Sequence, residues 1–493
     1  MKRYILALDQ GTTGSRAIVF DADGKTVASA YREFKQYFPK PGWVEHDARE
    51  IWRSCEIVIR EAVRKSKVDP AAILAIGITN QRETTVMWDR DTGRPVHHAI
   101  VWQCRRTSGI CRSHKKHEAL IRRKTGLLLD PYFSGTKIQW LLEHVPGLRK
   151  RALSGRIAFG TIDSWLIWNL TGGKSHVTDL TNASRTLLLD IRTKKWDPEL
   201  LKIFGVSAKV LPELRTSGSI FGTTQTISGL PAGIPIAGVM GDQQAALYGQ
   251  GCFDPGTSKS TYGTGCFIMM NTGKKFVASK EGLLTTLACD FKGRPVYALE
   301  GAVFIGGAVV QWLRDGLKLI RTSAECEKAV LGLRDNSGVY LVPAFVGLGA
   351  PYWKSEARGL ITGITRGTTT AHFIRASLEA IAYQTRDVFD IMQKAFGRPI
   401  HELKVDGGAC RNDLLMQFQA DILNARVMRP QVIELTARGV AHLAGVTMGL
   451  WKKSHDLKRQ HRVDRIFSPK MNSLKRKHLY QGWLKAVQRA MLS

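Results

Sequence analysis

Acidic side chains are in short supply: 42 Asp and Glu stand against 72 Lys and Arg along 493 residues, a formal charge of +30. A surface that basic attracts nucleic acid, anionic membranes or small anions such as nucleotides, and it is equally what a plain solvated face presents. Much of the excess lies in residues 105–156, with Lys115-Lys116 and Arg122-Arg123-Lys124, and after Trp451, with Lys475-Arg476-Lys477. Neither cluster has zinc-finger spacing, an aromatic RNA-binding signature or a basic-zipper heptad, so nucleic acid is not expected as a partner. The eight cysteines are scattered, with no C-x-x-C pair and no zinc spacing with histidine. That excludes a zinc module and predicts reduced thiols. Long apolar runs are missing too: the longest uncharged stretch, near residues 301–313, is too short and glycine-rich to span a bilayer. Met1-Lys2-Arg3-Tyr4 leads straight into a strand without room for a secretory leader. With 44% hydrophobic and 23% charged residues, the rest reads as a cytoplasmic globular protein of several domains.

The familiar phosphate-binding motifs are absent. Gly24-Lys25-Thr26 and Gly173-Lys174-Ser175 both lack the first glycine of a P-loop, no G-x-G-x-x-G opens a helix, and protein-kinase signatures are missing. What is present is "LALDQGTTGSRAIVF" (6–20), apolar at both ends around a turn of small hydroxylated residues. Its glycines let backbone approach an anion, its threonines and N–H groups can donate, Arg16 adds charge, and Asp9 at the strand end is suited to Mg²⁺ through water. Alone, such a turn can merely reverse the chain. Two more glycine-rich turns, Tyr262-Gly263-Thr264-Gly265 and "VDGGACRN" (405–412), also follow strands, and three such turns suggest one nucleotide clasped between two lobes.

The pattern of apolar runs predicts strands at 4–8, 16–20 and 26–34, a helix over 49–65, and a buried strand at 73–79. A second strand–turn–strand unit at 257–273, and "VYALEGAVFIGGAVVQWLRD" (296–315) passing from strand to helix, give the second half a related order. We place the boundary near 249, giving domains 1–249 and 250–493, closely packed because no low-complexity linker intervenes.

Ordered blocks then run through nearly the whole chain: "PKPGWVEHD" (39–47), "ITNQRETTVMW" (78–88), "IVWQCRRT" (100–107), "DPYFSGTKIQWLLEH" (130–144), "TDLTNASRTLL" (178–188), "GDQQAALYGQ" (241–250), "TYGTGCFIMMNTG", "YALEGAVF", "VPAFVGLGAPYW" and "VDGGACRNDLLMQFQADIL". By these the chain resembles the FGGY carbohydrate kinases, and within them the members that phosphorylate glycerol. The resemblance implies an α/β fold of two actin/hexokinase-like (ribonuclease H-like) domains with a catalytic cleft between them. It also implies Mg²⁺-dependent transfer of the ATP γ-phosphoryl group to glycerol, and a homo-oligomer, dimer or tetramer. Other polyols and ketoses are the alternative acceptors on the same scaffold.

Phosphorylating an alcohol needs a base for the hydroxyl proton, an in-line donor and positive charge around the transferred group. The resemblance assigns the base to Asp242, which taken alone also suits a helix N-cap before "QQAALYG". It assigns the hydroxyls of the acceptor to Arg82, Glu83, Tyr132, Asp242 and Gln243, and the apolar wall to Trp102 and Phe267. On their own, Arg82-Glu83 would read as a surface ion pair and the two aromatics as core. Thr12, Thr13, Gly14, Arg16 and Thr264 are implied at the phosphates, with Gly307 and Gln311 at the start of a helix whose N-terminus suits phosphate. Gly408 and Asn412 are implied beside the adenosine, Asp9 and Asp242 at the metal. Gly307 and Gly408 read equally as tight-packing glycines. Gly14 replaces the serine of many relatives and so loses one hydroxyl, and Gly233 stands where some have an arginine for an inhibitory sugar bisphosphate.

Overall fold

The computed structural model describes residues 4–227, 229–278, 282–354, 356–432 and 434–492. The first turn joins two antiparallel strands, β1 (Tyr4–Gln10) and β2 (Gly14–Phe20), which pair Asp9 with Arg16 and Gln10 with Ser15. β3 (Thr26–Glu33) continues antiparallel, and α1 (Ala48–Ser66) covers this meander. The helix forms because Ile51, Cys55, Val58, Ile59 and Ala62 recur on one face and Asp47 caps its N-terminus through Arg49 N. β4 (Ile73–Asn80) lies parallel to β1, and β6 (Pro235–Gly241) parallel to β4, with β5 (Gly222–Thr223) on the edge. The six strands run in the order β5-β6-β4-β1-β2-β3. α2 (Asp242–Gly249) leaves directly from the end of β6.

The second sheet repeats that plan. β7 (Ser258–Tyr262) and β8 (Cys266–Gly273) form its hairpin, extended antiparallel by β9 (Leu284–Cys289) and β10 (Pro295–Val303). β11 (Glu402–Asp406) pairs parallel with β7, β12 (Arg426–Pro430) parallel with β11, and β13 (Val463–Phe467) closes the edge. The order β9-β10-β8-β7-β11-β12-β13 places a parallel strand beside the first strand of each hairpin, as in the first sheet. Two such sheets are the expected actin/hexokinase-like architecture. α3 (Thr370–Phe396) and α4 (Asp413–Leu423) pack against each other in the second core.

α5 (Leu435–Thr447) lies between β12 and β13 of the second sheet in sequence but packs on the first. Its Val440, Ala441, Leu443 and Ala444 share a core with Ile5, Ala7, Ala75 and Ala237. It meets α2 backbone to backbone, because a Cβ on Gly439 would lie 2.0 Å from the Ala245 carbonyl. α6 (Ser473–Met491) buries Leu479, Trp483, Ala486, Val487 and Ala490 while Lys475 and Lys477 stay exposed, so the basic tail is one solvated helix face. Asp387 of α3 anchors it, accepting from Tyr480 Oη at 2.6 Å and Trp483 Nε1 at 2.9 Å. All eight cysteines are buried and unbridged. No helix among the described residues is long and apolar enough to cross a membrane.

Burial pushes the Asp387 carboxyl up to about 7, against the hydrogen bonds from Tyr480 and Trp483. The folded chain thus holds this proton more tightly than the unfolded one. The stabilisation is complete below the ordinary aspartate pKa and is lost as pH rises through about 7. Asp387→Asn removes the linkage. Chemical unfolding at about pH 4 and about pH 8 should therefore show the variant gaining on the native chain at the higher pH. An unchanged difference would show that Asp387 does not carry the proton.

Candidate active site

The ends of β1, β4 and β6 converge beside the interior of β10, where the two sheets approach. Arg82 and Glu83 follow β4, and both are buried, at 2% and 1% exposure, so they are no surface pair. Their mutual distance is 3.8 Å, and each has a closer partner. Arg82 gives Nη1 to Glu300 Oε2 at 2.6 Å and Nη2 to Glu300 Oε1 at 3.2 Å, while its Nε lies 3.1 Å from Asp242 Oδ1. Glu83 Oε1 accepts from Arg185 Nε at 2.6 Å, and Arg185 Nη2 reaches Glu300 Oε1 at 2.9 Å. Burial would raise the Glu300 carboxyl, but Arg185 and Arg82 overcome it and hold it at about 2. Glu83 has a φ of 60°, rare for a residue with a side chain, and Ser134 Oγ and Lys137 Nζ grip its carbonyl at 3.0 and 3.2 Å. Burial lowers Lys137 to about 8.

Asp242 is the first residue of α2, and Gly241 occupies the cap position, so the carboxylate does not serve as an N-cap. Its Oδ1 accepts from Gln243 N at 2.7 Å besides facing Arg82. Oδ2 has no protein partner among the described residues, and the side chain is 32% exposed. One oxygen is anchored and the other is available. Tyr132 sets its ring 5.6 Å from Trp102, and Trp102 Nε1 donates to Thr12 Oγ1 at 2.9 Å, so the aromatic wall touches the first hairpin. Phe267 is half-buried on β8, paired with Thr261 and Ala302, and makes no ring contact with those two aromatics among the described residues.

On the hairpin, Thr13 is exposed and Gly14 is buried beneath Tyr31. Arg16 is ion-paired with Glu434, just before α5, and its guanidinium lies 5.3 Å from the Tyr31 ring centroid. Burial pushes the Asp9 carboxyl up to about 7; Arg16 opposes this, while Asp242 and Glu434 add to it. No cluster of three or more His, Cys, Asp or Glu among the described residues is arranged to hold a metal. Asp9 and Asp242, whose charges oppose each other, are the donor chemistry a Mg²⁺ would relieve, with water and phosphate oxygens completing its shell.

Across the cleft, Thr264 is exposed in the β7–β8 turn. The expected helix runs over Ala308–Gln311 and continues without a break as a wider-wound turn over Trp312–Gly316, so Gln311 lies within it rather than at its start. The N–H groups of Gly307 and Ala308 are taken by the carbonyls of Gly263 and Thr264 at 2.8 and 3.1 Å, so no open helix terminus remains there. Gly307 is a tight-packing position, since a Cβ would lie 2.7 Å from the Gly263 carbonyl, whereas Gly408 faces open space. Asn412 caps α4 through Leu415 N at 2.8 Å. Sequence reasoning missed Ser134, Lys137, Arg185, Lys259 and Glu300. The available signal was a lone charge inside a buried run, as in "YALEGAVF", because such a charge must find a partner.

Two sheets of matching order around an anchored carboxylate and a hydroxyl-bearing hairpin define a phosphotransferase of the actin and hexokinase class. The chain belongs to the FGGY family of carbohydrate kinases: the family's N-terminal domain matches residues 4–249 and its C-terminal domain residues 259–448. Glycerol kinase of Xanthomonas axonopodis pv. citri is 56% identical over 492 residues, 99% of each chain. The crystal structure of Plasmodium falciparum glycerol kinase with ADP is similar with a TM-score of 0.93 at 39% identity, covering 99% of this chain and 98% of that one. Gluconate kinase from Lactobacillus acidophilus, with a TM-score of 0.88 at 23% identity over 99% and 98% of the chains, shares the fold.

Proposed function

We propose that this chain transfers the γ-phosphoryl group of ATP to glycerol, giving sn-glycerol 3-phosphate and ADP. The observation that carries the reading is the partition of Asp242: Oδ1 is held by Arg82 and Gln243 N, and Oδ2 is left for a hydroxyl proton. Relatives at 56% identity over almost the full length, named glycerol kinase, support the choice of acceptor.

In the reaction, Oδ2 accepts the proton of a terminal hydroxyl as that oxygen bonds to the γ-phosphorus, and the bond from phosphorus to the β-bridging oxygen breaks to release ADP. Glu83 and Arg82 orient the remaining hydroxyls, Tyr132 adds a phenolic partner, and Trp102 and Phe267 cover the carbon edge. Thr12, Thr13, Gly14, Arg16 and Thr264 serve the phosphates, with Gly307 and Gln311 near them and Gly408 and Asn412 beside the adenosine. Asp9 and Asp242 would hold Mg²⁺ through water, and the ion would supply charge neutralisation on the phosphate oxygens. Closure of the lobes, which we divide at 249 with α5 crossing back to the first, excludes water from the transfer. The protein acts in the cytoplasm as a homo-oligomer, and its basic surface does not serve nucleic acid.

An ADP-coupled assay with glycerol, xylulose, ribulose and gluconate tests the reading. Glycerol should give a kcat/KM at least about a hundredfold above the others, as expected where buried polar groups would go unpaired with the wrong acceptor. Turnover of a ketose or gluconate in preference to glycerol would overturn it.

A further inference from the structure

Two charges of the second sheet lie buried beneath the acceptor pocket and have no part in the chemistry above. Lys259, on β7, has 0% exposure; its Nζ donates to Gln243 Oε1 at 2.5 Å and to Thr261 Oγ1 at 2.8 Å. Glu300, on β10, also has 0% exposure, and its oxygens accept from Arg82 and Arg185 of the first lobe. A charge in the middle of a buried strand is costly unless paired. Glu300 finds its counter-charges across the lobe interface, and Lys259 reaches the Gln243 amide across it.

The polarity that follows is specific. A side-chain amide offers an oxygen that accepts and a nitrogen that donates, and it can turn over. An ammonium group has only protons to give, so Lys259 binds the Gln243 oxygen and leaves Nε2, which meets no other described residue, as a donor. Glu300 occupies both terminal nitrogens of Arg82 and one of Arg185. The remaining Nε groups then face Asp242 and Glu83 respectively. That anchors one oxygen of each of these two acids and leaves their second oxygens as acceptors.

We propose that Lys259 and Glu300 are positioning residues: second-lobe charges that fix which groups of the first-lobe pocket donate and which accept, and so set the hydroxyl pattern it recognises. The inference rests on the polyol-kinase reading above. It makes the acceptor site depend on the lobe that is otherwise given to the nucleotide.

Lys259→Met and Glu300→Gln test it, with glycerol, propane-1,2-diol and propane-1,3-diol measured as acceptors or as inhibitors against glycerol. Lys259→Met should raise KM for glycerol about tenfold or more while KM for ATP stays within about twofold. Its penalty should shrink for whichever diol lacks the hydroxyl that Gln243 holds. Glu300→Gln should raise KM for glycerol and lower kcat together, again sparing ATP. Equal losses on all three acceptors accompanied by a raised KM for ATP would mean a merely structural role and overturn the proposal, as would unchanged constants. If Lys259→Met does not fold, Gln243→Glu, which keeps a partner for Lys259 but replaces the donor with an acceptor, must raise KM for glycerol; a native value would sink the idea. Failure of the native chain to use glycerol would instead refute the acceptor assignment, and the same comparison would then be run with the polyol it does use and its deoxy analogues.

Discussion

Asparagine at position 242 should lower kcat with glycerol by about a hundred- to ten-thousand-fold while ATP binding changes by less than about threefold. The substitution keeps an oxygen where Gln243 N and Arg82 Nε meet Oδ1, at 2.7 and 3.1 Å, so the pocket retains its shape. What changes is the second position, where an NH₂ group cannot take a proton. Single-turnover measurements separate the chemical step from product release, and a nucleotide titration reports binding alone. Excess Mg²⁺ should offset only the weaker hold of an amide on the metal and should not restore turnover, because the proton acceptor itself is gone. A variant keeping more than about a tenth of native kcat would remove Asp242 from the role of base.

Arg185→Met should be the most destabilising single change around the pocket, costing about 3–5 kcal/mol in chemical unfolding. Methionine nearly preserves volume, so little of the loss comes from a cavity. The cost arises because Glu83 and Glu300 are both buried and both lean on this guanidinium, at 2.6 and 2.9 Å. Glu300 keeps Arg82, but Glu83 keeps only the more distant Nε of Arg82 at 3.8 Å. Glu83 should then take up a proton, cease to accept from a hydroxyl, and raise KM for glycerol along with the loss of stability. Adding Glu83→Gln to this variant should recover part of the stability, since it removes the carboxylate left without a close partner. A single variant within about 1 kcal/mol of the native chain would show that the buried cluster does not depend on Arg185.

Much of the fold was legible because local rules govern it. The first hairpin follows from apolar runs broken by glycine and threonine, and α1 matches the expected helix to within a residue at each end. The helix expected over "GGAVVQWL" does form after β10, from Ala308 through Gly316, but its composition says nothing of whether its N-terminus stays open to a phosphate. Its first N–H groups instead complete the β7–β8 turn, a choice made by a neighbour in space. Arg82-Glu83 reads as a surface pair for the same reason: adjacency in sequence hides that each side chain's nearer partner lies elsewhere.

The sequence by itself determined the strand and helix periods, the position and chemistry of the three turns, and, through the order of its blocks, the family. These depend on residues close together along the chain, where propensity and period act directly. The tertiary structure alone decided that α5 returns to the first sheet, which oxygen of Asp242 is free, and which charges neutralise one another. Arg82 meets Glu300 across 218 positions and Arg185 meets Glu83 across 102. No local pattern encodes such pairings, because the free energy of a buried charge depends on what folding brings beside it.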